Sequence, residues 1–271
     1  QRPLFLRGQR TPGRGHSPLP EKRPHCWQPH QKPITRSYTL MKPIGTIPRQ
    51  HIATGIAILF HLIGVVGILF LNRDFFIGTS FINLLLMFFL IIFTAEHRGK
   101  ALYIFFIICF ITGMAVELVG TKTGMLFGDY SYGKVLGPSL QGVPLIIGIN
   151  WFIMMYCCGT TIHALLQKII NSMPGSGTQP KPVLKVLSVV VDGATLAVAF
   201  DWLMEPVAVN LGYWTWHGNG EIPFFNYACW FAVSVPLLYL FHRMPIGKTN
   251  KFAIHLLLIQ TMFFLLLRTF L

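Results

Sequence analysis

Charged residues are scarce in this chain, and acidic residues are the scarcest of them. Asp, Glu, Lys and Arg make up 11% of the 271 residues, whereas 53% are hydrophobic. Because a soluble domain carries roughly 25% charged residues, this composition excludes an ordinary soluble protein and indicates a membrane protein. The sequence also lacks CxxC pairs, HxxH or HxxxH spacings, and the glycine motifs GxGxxG and GxxxxGK[ST]. No metal ion and no cofactor is therefore expected.

Most of the positive charge belongs to the N-terminal segment. Residues 1–50 hold ten Lys or Arg and one acid, which is +9 of the formal net charge of +13. Residues 1–40 are rich in Pro, Arg, Gln and His without apolar periodicity, so they are predicted to be a disordered basic tail. Either translation begins at Met41 or the tail contacts anionic lipid. Residues 41–271 form the predicted membrane domain, and no nucleic-acid partner is expected.

Seven apolar segments follow, each near the roughly 20 residues that a bilayer span needs. They predict an all-α, polytopic membrane bundle. Lys and Arg are more frequent in the loops at 96–100, 167–185 and 242–251 than in the alternate loops, by eight to three, which predicts N-in, C-out topology. The predicted spans are at about 52–71, 77–95, 101–119, 143–166, 184–205, 225–241 and 252–270.

Two polar loops fall on the same outer side in this topology and resemble each other. The first contains Gly128-Asp129-Tyr130-Ser131-Tyr132 and the second contains Gly212-Tyr213-Trp214-Thr215-Trp216, so both read Gly-x-aromatic-hydroxyl-aromatic. Each follows a carboxylate at a predicted helix end and precedes a Pro, an Asn and a Trp. The pattern predicts two helix-loop-helix halves that face one pocket.

Carboxylates near these loops are candidate catalytic groups, because acids within a membrane are energetically expensive. Glu117 precedes the first loop, while Asp201 and Glu205 are four residues apart and share one face of a helix. Burial and a neighbouring carboxylate favour the protonated form, which can act as a general acid. The rival interpretation is an interfacial charge at a helix end, and Pro206 is compatible with a helix that ends at Glu205. Asp129 is a fourth candidate, with turn capping or pairing to a lysine as its alternative.

Aromatic residues cluster beside these acids, where their faces could stabilise a carbocation. Tyr and Trp also form belts at membrane interfaces, which is the alternative explanation. The candidates for substrate binding are Phe127, Tyr130, Tyr132, Trp202, Tyr213, Trp214 and Trp216, together with Asn150 and Asn226. Asp192 is nine residues from Asp201, on the opposite side of its helix. A hydrogen bond to a neighbouring helix and a proton-relay role both stay open for it.

Eight short motifs carry a resemblance to a known family: Glu117-Leu-Val-Gly-Thr-Lys-Thr-Gly, Phe127-Gly-Asp-Tyr-Ser-Tyr, Leu136-Gly-Pro, Gly142-Val-Pro, Asn150-Trp, Asp201-Trp-x-x-Glu-Pro-x-Ala, Gly212-Tyr-Trp-x-Trp and Pro223-x-x-Asn. Together they resemble the CruF-type carotenoid biosynthesis proteins over about residues 50–245. The resemblance implies a multi-pass carotenoid hydratase, which adds water to the terminal double bond of an acyclic end group without a redox cofactor. Lycopene, γ-carotene and C50 bacterioruberin precursors are the implied substrate types.

The residues fit this chemistry, with Glu117, Asp201 and Glu205 as the acid/base set and Asp129 near them. The expected partners are membrane lipid, a carotenoid and other enzymes of the carotenoid pathway, and the expected location is the cell membrane, the inner membrane of a bacterium. Two alternatives stay open. If water is excluded, the same cation reacts with its own polyene, as in a cyclase or isomerase. Intramembrane acids and a weak repeat also suit a transporter or a non-enzymatic scaffold.

Overall fold

The computed structural model describes residues 48–96, 98–172 and 181–271. The predictions for residues 1–40 and for Met41 concern residues outside these ranges. The described chain forms eight helices and two short antiparallel ribbons. The helices are α1 (Arg49–Phe70), α2 (Arg73–Gly78), α3 (Ser80–Thr94), α4 (Lys100–Thr123), α5 (Leu145–Ser172), α6 (Pro182–Asn210), α7 (Phe224–Arg243) and α8 (Lys251–Phe270). The strands are β1 (Tyr130–Tyr132), β2 (Ser139–Leu140), β3 (Val143–Pro144) and β4 (Trp214–Trp216).

Six of these helices are long and apolar enough to cross a membrane: α1, α4, α5, α6, α7 and α8. They correspond to six of the seven predicted spans, and the prediction of a polytopic helical membrane protein is confirmed. The four cysteines of the described chain, Cys109, Cys157, Cys158 and Cys229, are free and buried. The N-in, C-out orientation stays a prediction.

The second predicted span, at 77–95, differs because the chain breaks into α2 and α3 around Thr79. With 15 residues, α3 is about 22 Å long, shorter than a hydrocarbon core of roughly 30 Å. Short α2 begins where the Asn72 side chain accepts a hydrogen bond from the Phe75 amide at 3.1 Å. A Cβ on Gly67 of α1 would lie only 2.3 Å from the Phe76 ring, so α2 can fold back closely against α1.

Helix α5 is the centre of the bundle, and it packs against α3, α4, α6, α7 and α8. Glycines allow rings to pack directly on helix backbone there. A Cβ on Gly113 of α4 would lie 2.4 Å from the Trp151 ring, and one on Gly159 of α5 would lie 2.6 Å from the Phe241 ring. In a membrane the lipid tails are as apolar as the helix surfaces, so helices associate through close packing rather than through the hydrophobic effect. Small residues such as glycine allow this close packing. This packing fixes Trp151 beside α4.

Helix α6 does not end at Glu205, which corrects the interpretation of Pro206 as compatible with a helix end there. The helix continues through Pro206 to Asn210. A proline inside a helix leaves the carbonyl four residues earlier without its usual partner, here the carbonyl of Trp202. The Arg268 side chain of α8 donates a hydrogen bond to this oxygen at 3.0 Å. Glu205 consequently lies inside the helix rather than at its end.

The two loops meet at one end of the bundle in an antiparallel ribbon of β1 and β4. Ser131 lies opposite Thr215 at its centre. The Gly133 amide donates a hydrogen bond to the Tyr213 carbonyl at 2.8 Å. A Cβ on Gly133 would lie 2.1 Å from the Gly212 carbonyl oxygen, so the backbones touch there. The two similar motifs therefore pair with each other, as expected for loops on the same side.

Candidate active site

Glu117 of α4 is buried beneath β1, with 4% of its surface exposed. Alternate residues of a strand face the same side, so Tyr130 and Tyr132 both point at this carboxyl group. Both hydroxyls donate hydrogen bonds to Oε2, the one from Tyr132 at 2.7 Å. The indole nitrogen of Trp151 donates to Oε1 at 3.1 Å. Glu117 thus has three donors, from the ribbon and from α5.

Glu205 of α6 has the matching arrangement beneath β4. The indole nitrogens of Trp214 and Trp216 donate to its Oε2 at 3.0 and 3.1 Å. The side-chain amide of Asn226, in the first turn of α7, donates to Oε1 at 3.2 Å. Each loop motif therefore holds the carboxyl group of the helix that precedes it.

Asp201 lies one turn before Glu205 and is linked to it by Asn226. The Asn226 amide donates to Asp201 Oδ2 at 2.8 Å. The other oxygen, Oδ1, is buried without a hydrogen-bond partner. An unpartnered buried carboxyl oxygen calls for a ligand or a water molecule, so Asp201 has unused hydrogen-bonding capacity within the site.

A cavity of about 30 Å³, here called the carboxylate cavity, joins the three acids. Such a volume accommodates about one or two water molecules. Among the described residues that line it there is no Lys or Arg, so no cation offsets the three acids from within the lining. The lining residues are Glu117, Phe127, Tyr130, Tyr132, Asp201, Glu205, Trp214, Trp216, Asn226 and Trp230.

A larger and mostly apolar cavity of about 90 Å³, here called the hydrophobic cavity, lies beside the first. Glu117, Tyr132, Trp214 and Trp230 line both cavities. Apolar helix residues such as Leu84, Ile147, Phe200, Met204 and Phe264 complete much of its wall. Glu117 consequently faces a polar space and an apolar space at once.

Two further cavities, of about 220 and 230 Å³, adjoin the hydrophobic cavity. The cavity of about 220 Å³, here called the α1–α3 cavity, shares Ser80, Asn83 and Phe263 with the hydrophobic cavity. The cavity of about 230 Å³, here called the α1–α8 cavity, shares His61 and Phe263 with it. The linings of these outer cavities include side chains exposed on the outer surface of the bundle, namely Phe60, Ile63, Ile82, Ile58, Leu62, Leu258 and Met262. Mostly apolar cavities thus lie between the bundle surface and Glu117.

The tyrosines of the ribbon are held in their protonated form. Burial raises the pKa of Tyr130 and of Tyr132 far above the usual range of a phenol, and the charge of Glu117 raises it further whenever Glu117 is ionised. Both hydroxyls therefore stay hydrogen-bond donors to Glu117 throughout the physiological range of pH.

Most of the predicted site residues come together, whereas Asp129 and Trp202 lie outside both cavities. Asp129 is exposed, and its backbone carbonyl accepts a hydrogen bond from the His217 amide at 2.9 Å. Trp202 is 54% exposed, and the guanidinium carbon of Arg268 lies 4.2 Å from the centroid of its ring. Asp192 was expected to contact a neighbouring helix or to relay protons. It is exposed, and it accepts a hydrogen bond from Ser188 of its own helix rather than from a neighbouring one.

The remaining predicted residues line one or other cavity. Phe127 lines the carboxylate cavity, and its φ of 64° is unusual for a residue other than glycine. Such backbone strain is often found at functional sites. Asn150 and Tyr213 line the hydrophobic cavity, and the Tyr213 hydroxyl is 2.6 Å from Ser80 Oγ.

Two tryptophans of the site were not among the predicted binding residues. Trp151 and Trp230 stack with ring centroids 4.2 Å apart and an interplanar angle of 15°. Their signal in the sequence was the shared order of Pro, Asn and Trp after each loop. His61, Asn83 and Gln260, which line the hydrophobic cavity from α1, α3 and α8, carried only the weaker signal of single polar residues within apolar runs.

The fold and the site define an integral membrane protein whose buried carboxyl groups lie between a polar and an apolar cavity. Residues 78–271 match the family described as "Carotenoid biosynthesis protein". The chain belongs to this family, as the motif resemblance implied.

A curated relative adds a more distant likeness. Bisanhydrobacterioruberin hydratase from Haloarcula japonica is 29% identical over 129 residues, a stretch that covers 46% of this chain and 40% of the relative. The match therefore spans less than half the length of that protein. No solved structure matches this chain significantly.

Proposed function

We propose that the protein is a carotenoid hydratase, a carbon-oxygen hydro-lyase that works without a cofactor. The observation that supports this most directly is the shared wall of the two cavities at Glu117. Hydration of a terminal double bond requires an apolar alkene, a water molecule and an acid to meet. The hydrophobic cavity suits the alkene, the carboxylate cavity has room for water, and Glu117 lines both.

In the proposed reaction, protonated Glu117 gives its proton to the less substituted carbon of the terminal double bond. The resulting tertiary cation lies beside the rings of Trp214 and Trp230, whose faces stabilise positive charge. Water from the carboxylate cavity adds to the cation through its oxygen, and the pair of Asp201 and Glu205 accepts the released proton. Water in the same cavity can return that proton to Glu117, so the net change is the addition of one water.

The hydrogen bonds around Glu117 would favour proton transfer. As the proton leaves, negative charge develops on the carboxyl group, where Tyr130, Tyr132 and Trp151 already point their donors. Donors that are fixed before the reaction stabilise the charge of the transition state without reorganisation. The three donors would therefore lower the barrier to protonation of the alkene.

The polyene chain would leave the hydrophobic cavity through one of the two outer cavities. Both are bordered by apolar side chains of the bundle surface, so a carotenoid could enter from the hydrocarbon part of a membrane. Its reactive end would then reach the carboxylates near the end of the bundle. We place the enzyme in the cell membrane, the bacterial inner membrane, with both loops on the outer side and with other enzymes of the carotenoid pathway as partners.

Expression of the full chain in a lycopene-producing bacterium tests this function. Mass analysis of the extracted pigments should show lycopene derivatives that are heavier by one water for each hydrated end. Lycopene would stay unchanged if the enzyme requires a C50 precursor, such as one related to the substrate in the relative's name. The C50 precursor is therefore supplied in parallel. Isomers of unchanged mass would instead indicate a cyclase or isomerase. Failure to change either carotenoid, with the protein shown to be in the membrane, would exclude the proposed hydration of these substrates.

A further inference from the structure

Three half-buried basic side chains lie near the end of the bundle opposite the ribbon. His163 of α5 is twelve residues after Trp151, about 18 Å further along the helix at 1.5 Å per residue. His242 is the last residue but one of α7, and Lys248 lies in the loop between α7 and α8. We call these three residues the basic cluster. None of them lines the carboxylate cavity or the hydrophobic cavity, so the proposed reaction does not use them.

Contacts of α5 with α7 and its following loop bring the basic cluster together. Tyr156, Gly159 and His163 are three and four residues apart, so they share one face of α5. The Tyr156 hydroxyl donates a hydrogen bond to the Gly247 carbonyl oxygen at 3.2 Å. One turn further along, the Phe241 ring packs on Gly159. His163 therefore continues the face of α5 that meets the end of α7 and the loop.

The charges of neighbouring basic side chains reach the imidazole of His163. They belong to Lys248, His242 and Lys185, and Lys185 lies in the first turn of α6. Four separate elements of the fold thus direct basic groups to one place. Like charges at close range repel one another, so this arrangement favours the binding of negative charge.

The protein supplies little negative charge of its own at this place. Within the part of the chain that the structure describes, no carboxylate forms an ion pair with the basic cluster. Glu96 accepts a hydrogen bond from the Thr249 hydroxyl instead. Residues 173–180, which connect α5 and α6, contain no Asp or Glu. Burial lowers the pKa of Lys248, the effect expected for an ammonium group without a counter-ion.

The basic cluster also has unused hydrogen-bond donors. Lys248 Nζ donates to the His242 carbonyl oxygen at 2.5 Å, which leaves two of the three donors of the ammonium group. His242 Nδ1 is buried without a partner. A buried N–H without an acceptor is costly, so we expect the ring proton on Nε2. The His163 ring makes no hydrogen bond to any described residue. Donors from three elements are therefore available to a ligand.

We infer that His163, His242 and Lys248 form a binding site for a phosphate group. A phosphate group carries negative charge and accepts several strong hydrogen bonds, which matches an ammonium group beside two imidazoles. Basic pockets between transmembrane helices bind the headgroups of anionic lipids. Exposed apolar side chains, Leu165 of α5 and Leu184 of α6, flank this site and could contact acyl chains. The inference goes beyond the proposed function and does not depend on it.

A lipid headgroup and a free phosphate ion offer the same chemistry, and the experiment separates them. The full chain is purified in detergent, washed free of lipid, and unfolded by heat at constant ionic strength. Three probes are added at increasing concentration: phosphatidylglycerol, diacylglycerol with the same acyl chains, and sodium phosphate. A ligand that binds only the folded state raises the unfolding temperature, so each series gives an apparent Kd. Phosphatidylglycerol should bind at least about tenfold more tightly than diacylglycerol, which lacks the phosphate.

Lys248→Gln should raise the Kd for phosphatidylglycerol about tenfold or more, because it removes a charge-assisted hydrogen bond. His163→Leu should raise it about three- to tenfold, the effect of losing one neutral donor. Each variant is compared with its own unfolding temperature without ligand, and His163→Leu keeps the test valid if Lys248→Gln does not fold. Lys100→Gln is the matched control, because it removes an exposed positive charge at the start of α4, at the same end of the bundle. It should leave the Kd unchanged.

Stabilisation by phosphatidylglycerol that both cluster variants weaken identifies a lipid headgroup as the ligand. The same dependence on the variants for sodium phosphate, without an effect of phosphatidylglycerol, identifies free phosphate. The site is refuted if neither probe stabilises the protein, if diacylglycerol is as effective as phosphatidylglycerol, or if Lys100→Gln weakens binding as much as the cluster variants. No carotenoid is present, so the result is independent of whether the protein hydrates one.

Discussion

Tyr130 and Trp216 lie directly opposite each other in the antiparallel ribbon, with ring centroids 5.0 Å apart, and they hold different carboxyl groups. The Tyr130 hydroxyl binds Glu117, whereas the Trp216 indole binds Glu205. One cross-strand pair therefore connects the acid of α4 with the acid of α6. The distance between the two acids depends on the register of a ribbon only three residues long on each strand.

Gly133→Ala should disrupt this ribbon. The added Cβ would lie 2.1 Å from the Gly212 carbonyl oxygen, a backbone atom that cannot rotate away. We expect a loss of about 1–3 kcal/mol of unfolding free energy, as for other overpacked sites, together with loss of carotenoid conversion. The measurement is thermal unfolding in detergent. Gly99→Ala is the control, because a Cβ there meets nothing within 4 Å. Equal stability of the two variants would show that the ribbon tolerates separation.

Glu117→Gln should abolish hydration while the protein still folds. Glutamine preserves the size of the side chain but cannot donate a carboxylic proton, and a positioned general acid contributes about 10²- to 10⁴-fold to a rate. Conversion of the carotenoid, normalised to the amount of protein in the membrane, is the readout. Asp192→Asn is the control, because Asp192 is an exposed acid away from both cavities. Full activity of Glu117→Gln would remove Glu117 from the mechanism.

Asn226→Ala should destabilise the site, because one amide donates to both Asp201 and Glu205. Each buried oxygen left without a donor costs about 1–3 kcal/mol. We expect a lower unfolding temperature and reduced conversion. Asn219→Ala serves as the control, since Asn219 is an exposed loop residue bonded to Glu221. If both variants unfold at the same temperature as the unaltered protein, the amide is not a structural link between the acids.

The sequence predicted the site residues well where a motif is repeated. It predicted them poorly where the position of one side chain depends on contacts between helices. Glu117, Glu205 and the alternating aromatics were predictable, since the two loops share spacing and residue type. In the sequence Trp202 resembles Trp214, because both are tryptophans close to the candidate carboxylates. Its position on α6, however, turns its ring towards Arg268 on the surface. The break at Thr79 depends on how Phe76 packs on Gly67, a tertiary contact that hydropathy does not encode.

The buried Tyr132 should make the free energy of unfolding decrease at alkaline pH. Burial, followed by the charge of Glu117, raises the pKa of Tyr132 in the folded protein, whereas in the unfolded chain it titrates near its ordinary value of about 10. Above that pH the unfolded state binds fewer protons than the folded state, so stability is full below about pH 10 and falls as pH rises. Tyr132→Phe should make this fall shallower by up to about 1.4 kcal/mol per pH unit. Unfolding between pH 8 and 11 measures it, and identical slopes would refute the prediction.

Gly64→Leu tests the proposed route of the carotenoid between the bundle surface and Glu117. Gly64 lines the α1–α3 cavity, and a Cβ there would already lie 3.2 Å from the Phe263 ring, which borders all three apolar cavities. A leucine would fill the space where the α1–α3 cavity meets the hydrophobic cavity. Conversion of a long carotenoid should fall about tenfold or more, because a misplaced chain moves its end away from the acid.

The control for this path is Gly55→Leu on the same helix, where an added Cβ meets nothing within 4 Å. It should leave conversion unchanged. A short acyclic terpene that fits within the hydrophobic cavity should be less affected by Gly64→Leu than the carotenoid, because it need not occupy the outer cavities. If Gly64→Leu impaired both substrates equally, the residue would act through helix packing, and the chain would have to reach Glu117 by another route. Unimpaired conversion of the carotenoid would likewise exclude this junction as the binding path.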